Sequence, residues 1–330
     1  MLSSVNRDLP TIACKLCESF WLNPSNILCL LVRTTAHGSW KRVVYDHGLN
    51  FAQDSQRPMA DSEPTVLLAG IATMAAALYL YTAVRQLLRL EHKDESLPKM
   101  ILIPGIAALL LHAVVIFDSA TSLSSSFGFY KVASIVFWLM GLLSVLGLAI
   151  RPLQTLLIAI FPLAALSAMV ATLAPDTARP MTDIPRGLLL HISTSVISYA
   201  LFALATLQGL LVLQQSRLLR QHKTRGLVRH LPPLEATERM MFELIGTGIV
   251  ILSISIVAGF FYVDDLLAQH LIHKTVLTLI AWWGYIVLVT GQWRHGWRVN
   301  TAVMLSASAF TLLTIGFFGS KLVLELVLAG

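Results

Sequence analysis

Residues 187–213 read GLLLHISTSVISYALFALATLQGLLVL and contain no Asp, Glu, Lys or Arg. An apolar helix of about 20 residues already crosses the hydrocarbon core of a bilayer. Within lipid, a helix satisfies its own backbone hydrogen bonds, whereas an isolated extended segment leaves them unmade. This stretch therefore predicts a transmembrane helix, and it decides the class of fold.

The same pattern recurs along the rest of the chain. From Thr65 onward there are eight apolar segments of roughly membrane-spanning length: 65–84, 100–117, 129–150, 152–174, 187–213, 242–263, 273–292 and 300–327. A transmembrane barrel would instead show ten-residue segments of alternating polarity. We therefore predict an all-α polytopic membrane protein, in which residues 59–330 form a bundle of eight transmembrane helices.

The composition of the whole chain supports this class. Of 330 residues, 56% are hydrophobic and 13% are charged, whereas soluble domains usually carry about 25% charged residues. An ordinary soluble enzyme and a disordered protein are both excluded. The chain has no phosphate-binding loop of the GxxxxGK[ST] type, no HExxH and no GxSxG, and we expect it not to be an enzyme.

The formal net charge of +6 reports orientation rather than a polyanionic partner. Lys and Arg cluster in the loops 85–99, 214–241 and 293–299, which lie on one side of an eight-helix path. The positive-inside rule makes that side cytoplasmic and places both ends of the 59–330 body outside. We predict a multi-pass protein of a bacterial-type inner (plasma) membrane whose surroundings are the lipid bilayer, with no nucleic acid bound.

Residues 1–58 differ in composition from the remainder. Their longest apolar run, 27–32, is too short to span a membrane, and they hold all three cysteines, Cys14, Cys17 and Cys29. Met59 stands at the compositional break just before the first long apolar segment. We predict that 1–58 is a poorly ordered extension and that the functional chain begins at Met59, without cysteine and hence without a disulfide or a thiolate ligand.

The inner loop 214–241 is the one sizeable polar connection. We predict that its first half continues the fifth helix as a basic extension and that Pro232-Pro233 breaks it. Residues 234–239 (LEATER) then predict a separate, short amphipathic helix at the inner membrane surface.

Ionisable residues within apolar segments are costly and point to function. His112, His191 and His273 are expected at a similar depth near the outer face. Two neutral imidazoles can ligate one haem iron, bind zinc or copper, or relay protons. A hydrogen bond to a serine or a carbonyl would also satisfy each ring. Lys321 either snorkels to the outer surface or pairs with an anionic group such as a haem propionate.

Several segments of the chain resemble YpjD-type inner-membrane proteins of the CcsA/HemX-like cytochrome c assembly family. The similarity covers roughly residues 60–330 and is clearest after 187. The motifs that carry it are HISTSVISY (191–199), LPPLEATERMMF (231–242), GFFY (259–262), HKTVLTLIAWWGY (273–285), GWR (296–298) and FGSK (318–321).

The resemblance implies a haem-binding or haem-handling membrane protein that is not an enzyme. It assigns His191 and His273 as ligands of a haem iron, with His112 as a third ligand or proton partner and Lys321 near a propionate. A cytochrome maturation protein or another membrane protein is the implied partner. The tryptophan-rich outer motif (WWD) of haem-delivering relatives is missing here, so delivery of haem to apocytochrome c is not implied.

Two other functions stay open at the level of sequence. One is a small-solute or ion transporter whose outer histidines bind metal or sense protons. The other is a regulatory partner of a second membrane protein that docks through the loop 214–241.

Overall fold

The computed structural model of the chain describes residues 29–33, 40–44, 62–92, 99–121, 128–148, 154–174, 185–221, 233–262 and 272–319. The chain divides into two compact units, Met1–Glu63 and Pro64–Gly330. Lys321 lies outside the described residues, and its predicted pairing stays a prediction.

The N-terminal unit contains a pair of antiparallel strands. Strand β1 (Cys29–Arg33) lies beside strand β2 (Trp40–Val44), with Cys29 opposite Val44 and Arg33 opposite Trp40. No strand was predicted here, because the short apolar run has no alternating pattern. Valine and tryptophan favour strands, and the two segments supply both. The start at Met59 stays a prediction.

The second unit is built of helices throughout its described residues. They are α1 (Ser62–His92), α2 (Lys99–Thr121), α3 (Phe129–Gly147), α4 (Gln154–Leu173), α5 (Arg186–Arg220), α6 (Leu234–Tyr262), α7 (Ile272–His295) and α8 (Val299–Thr314), the last extended by a π-helical turn, Ile315–Gly319. Seven of them are long and apolar enough to cross a membrane, while the apolar part of α2, Leu102–Asp118, is shorter. The predicted polytopic helical fold is confirmed.

The end of α5 and the start of α6 differ partly from the prediction. Helix α5 continues to Arg220, as expected. The separate amphipathic helix at 234–239 is wrong, because these residues form the first turns of α6. Thr237 shows the reason: its side chain is buried and its hydroxyl donates to Gln215 Oε1 of α5 at 3.2 Å. Thr237 thus packs against α5, whereas Glu235 and Arg239 of the same stretch are exposed, and the stretch continues directly into α6.

Helices α5 and α6 form an antiparallel pair with the most extensive contact in the unit. Three facing pairs recur every seven residues along both helices: Ser195 with Ser255, Phe202 with Gly248, and Gly209 with Met241. A seven-residue repeat is the signature of a left-handed crossing of about 20°. We call this contact the α5–α6 seam.

Helix α5 is the centre of the bundle. In its most apolar window, 72% of the residues are buried within the unit, against 39% or less in the other spans. Phe202 illustrates its position, since its ring lies against Gly248 of α6 and stacks on Tyr285 of α7 at 3.9 Å between centroids. Both rings are fully buried.

The seam yields a stability prediction. A Cβ at position 248 would lie 2.8 Å from the Phe202 ring, whereas a Cβ at position 246 meets nothing within 4 Å. We expect Gly248→Leu to destabilise the protein by about 1–3 kcal/mol through overpacking, and the matched variant Gly246→Leu to change little. The difference in stability is measured by heating both variants in detergent and recording the loss of the monodisperse peak in size-exclusion chromatography. Equal loss in both variants would contradict close packing at the seam.

Candidate functional site

The three predicted histidines lie on three different helices. His112 is on α2, His191 is near the start of α5 and His273 is in the first turn of α7. Within the described ranges, no group of three or more His, Cys, Asp and Glu is arranged to hold a metal ion.

His191 is held by the backbone of α6. Its Nδ1 lies 2.7 Å from the carbonyl oxygen of Ser255. A carbonyl oxygen only accepts, so Nδ1 carries the hydrogen and donates it. The neutral ring then keeps its lone pair on Nε2, which makes no hydrogen bond to any residue in the described part of the chain. Histidines that ligate metals are typically oriented in this way.

A glycine makes this contact possible. Gly259 lies one turn after Ser255 on α6, and a Cβ at that position would come within 2.8 Å of both Nδ1 and Cε1 of His191. Because Gly259 has no side chain, the ring lies directly against the helix backbone. The close approach of α5 and α6 at this point follows from the same absence of a side chain.

His112 is in a different environment. It is fully buried, with Nε2 2.7 Å from Ser134 Oγ of α3 and Nδ1 3.3 Å from Tyr79 Oη of α1. Both ring nitrogens are engaged, so the ring is satisfied without a metal. As a third ligand, it would first have to give up one of these bonds, and that role stays a prediction.

His273 is exposed at the start of α7. Helix α6 packs against both α5 and α7, and no hydrogen bond or ring contact joins His191 to His273 among the residues that the structure describes. The structure therefore joins His191 to Ser255 and Gly259 and leaves a shared site of His191 and His273 as a prediction.

Tyr79 and Tyr199 were not predicted as site residues. A buried tyrosine needs a partner for its hydroxyl, and this was the available signal. Tyr199, two turns along α5 from His191, lies 3.1 Å from Thr314 Oγ1 and stacks on Phe317 of the π-helical turn at 5.2 Å. It fastens α5 to the end of α8.

Trp282 and Trp283 of α7 lie in different surroundings. Trp282 Nε1 donates to Ser253 Oγ at 2.9 Å, and Trp283 is 60% exposed.

The buried contact of His112 leads to a second stability prediction. Ser134→Ala leaves Nε2 of a fully buried ring without its partner, and we expect a loss of about 1 kcal/mol. Ser144→Ala is the matched control, because Ser144 is equally buried on α3 and donates only to Met140 of its own helix. Unfolding titrations in mixed micelles measure both variants. An equal loss of unfolding free energy in Ser144→Ala would show that the hydrogen bond between Ser134 and His112 adds no particular stability.

Comparison of the sequence with known proteins identifies the family of this chain. The sequence model of the family described as "Cytochrome C assembly protein" matches residues 100–328. Inner membrane protein YpjD of Escherichia coli is 28% identical over 268 residues, which are 79% of this chain and 99% of that protein.

Two further relatives match about half of their own length. An uncharacterized 28.8 kDa protein of Azospirillum brasilense is 32% identical over 141 residues, which are 42% of this chain and 52% of that protein. Protein HemX of Brevibacillus brevis is 27% identical over 139 residues, which are 40% and 49% respectively. No solved structure gives a significant match. The family match spans more than half of the chain, and this protein therefore belongs to the cytochrome c assembly protein family.

Proposed function

We propose that this protein binds or handles haem within the membrane and is not an enzyme. The observation that carries the proposal is the state of His191: Nδ1 donates to the Ser255 carbonyl, and the lone pair of Nε2 is available. This is the donor that an axial ligand of haem iron requires. Membership of the cytochrome c assembly protein family supports the same class of function.

The residues of the chain have distinct parts in this proposal. His191 and His273 would hold the haem iron, and Lys321 would pair with a propionate. His112 serves as a proton partner or third ligand only if its bonds to Ser134 and Tyr79 open. Bound haem would supply an iron centre, and the chain supplies its ligands, its orientation and its apolar surroundings.

We further propose a setting for this function. The relative YpjD is named as an inner membrane protein, and the same membrane is proposed for this chain, with a cytochrome maturation protein or another membrane protein as partner. The basic inner loop 214–241 faces the cytoplasm, and the ends of the 59–330 body face outward.

Haem binding is tested by absorption spectroscopy of the purified protein. After haem supplementation we expect a Soret band that His191→Ala weakens strongly, because the variant removes the anchored ligand. The matched control is His295→Ala, on an exposed histidine at the opposite end of α7, and its spectrum should equal that of the wild type. A band that survives unchanged in the His191→Ala/His273→Ala double variant would exclude both histidines as ligands.

The orientation is tested by labelling single cysteines in intact cells. Residues 59–330 contain no cysteine, so one introduced cysteine reports cleanly once Cys14, Cys17 and Cys29 are changed to serine. We expect an impermeant maleimide to label Asp118→Cys from outside and to leave Arg220→Cys unlabelled until the membrane is opened. The reverse pattern would invert the proposed topology.

A further inference from the structure

Ser255 contacts His191 through two different groups, its carbonyl and its hydroxyl, and the hydroxyl also lies 3.3 Å from Nδ1. Its carbonyl oxygen accepts the hydrogen of His191 Nδ1 at 2.7 Å. Its hydroxyl lies 3.2 Å from the backbone oxygen of His191 and donates to it. The two residues, 64 positions apart in sequence, thus exchange hydrogen bonds across the α5–α6 seam. One bond fixes the ring and the other fixes the backbone that carries it.

Ser195 keeps the hydroxyl of Ser255 in this orientation. The two hydroxyl oxygens lie 2.5 Å apart. Since the Ser255 hydrogen is directed to the His191 carbonyl, the Ser195 hydroxyl donates and Ser255 Oγ accepts. Ser255 is 1% exposed, so no lipid or water competes for these bonds.

Gly259, one turn along the same helix from Ser255, completes the arrangement. Ring atoms Nδ1 and Cε1 occupy the space that a side chain at 259 would fill. Movement of the ring toward α6 is blocked by the helix backbone, and rotation away from α6 breaks the bond to Ser255. The ring therefore has one stable orientation, with Nε2 on the edge away from the Ser255 carbonyl.

We propose that Ser255 and Gly259 are positioning residues that hold His191 as its Nδ1–H tautomer and present Nε2 to the iron of a haem-like ligand. The ligand part of this inference rests on the proposed function, whereas the tautomer part does not. A hydrogen bond from Nδ1–H to a carbonyl also makes the ring a stronger electron donor. The seat formed by Ser255 and Gly259 thus sets both the affinity and the reduction potential of a bound iron centre.

The tautomer is tested first, on the full-length protein without haem. The protein is labelled with ¹⁵N-histidine, and the His191 signals are assigned by their loss in His191→Ala. We expect the wild type to show the Nδ1–H tautomer. In Gly259→Ala the new Cβ displaces the ring, and we expect this signal to be lost or mixed with the Nε2–H form. Gly246→Ala, which adds a Cβ in open space on the same helix, should leave it unchanged.

Haem titration then tests the ligand role on the monodisperse fraction of each variant. We expect Ser255→Ala, which keeps the carbonyl acceptor of Nδ1 but removes the hydroxyl contacts to His191, to weaken haem binding about tenfold, the lower end of the usual effect of losing a group that supports a metal ligand. Ser255→Thr keeps the hydroxyl and should restore the affinity. Ser253→Ala is the matched control, because Ser253 lies two residues away and bonds Trp282 instead; we expect its haem affinity to equal that of the wild type.

The two measurements separate the possible failures. An Nε2–H tautomer in the wild type, or an unaltered tautomer in Gly259→Ala, would overturn the proposal that Ser255 and Gly259 fix the tautomer of His191. Equal haem affinity in Ser255→Ala and Ser253→Ala would overturn the positioning role of Ser255. A wild type that shows the Nδ1–H tautomer but takes up no haem would overturn the proposed function and the ligand role, and would still support the seat.

Discussion

The close approach of α5 and α6 is the constraint on which the rest of the helical unit depends. In a bilayer, apolar side chains gain little by leaving lipid for protein, so close packing and hydrogen bonds hold helices together. Both are concentrated at the α5–α6 seam, where Gly248 admits the ring of Phe202 and Gly259 admits the ring of His191. Phe202 in turn stacks on Tyr285 and so brings α7 to the pair.

Most of the polar side chains at the seam bond one another. Toward the C-terminal end of α5, Gln208 donates to the Thr237 carbonyl, and Thr237 donates to Gln215. Toward the N-terminal end of α5, Ser195, Ser255 and His191 bond one another. A buried polar group without a partner costs about 1–3 kcal/mol, which explains why these groups are paired. Nε2 of His191 is the group that the pairing leaves available for a ligand.

The sequence was sufficient to predict the polytopic helical fold, because a bilayer requires long apolar helices. The described parts of the eight apolar segments are helical, as expected of segments whose backbone must satisfy its own hydrogen bonds in apolar surroundings. The start of α6 was not predictable in this way: residues 234–239 look amphipathic, and their polar face fits either a membrane surface or another helix. Which applies depends on Gln215, a partner 22 residues upstream of Thr237. The strands β1 and β2 were not predicted, because so short an apolar run does not show the alternation of apolar and polar residues that indicates a strand.

The candidate site was predictable to the same limited degree. His191 stands out because an imidazole in an apolar segment is rare, but Ser255 and Gly259 look like ordinary small residues of a membrane helix. Their role depends on the register of α5 against α6, which places residue 191 opposite 255 and 259. That register between two helices cannot be read from the spacing of residues within one helix. Tyr79 escaped notice for the same reason, since its partner His112 lies on another helix.

The contrast between His112 and His191 shows that hydrogen-bond partners, rather than depth, distinguish the two histidines. Each bonds residues of a neighbouring helix, yet His112 uses both nitrogens and His191 uses one. Tyr79, one partner of His112, lies on α1, which precedes the family match at 100–328, whereas His191, Ser255 and Gly259 all lie within it. The contact of His112 thus joins a helix outside the matched region to the shared core. His191, with a free donor atom and a seat made by residues of that core, is the histidine whose geometry suits a ligand.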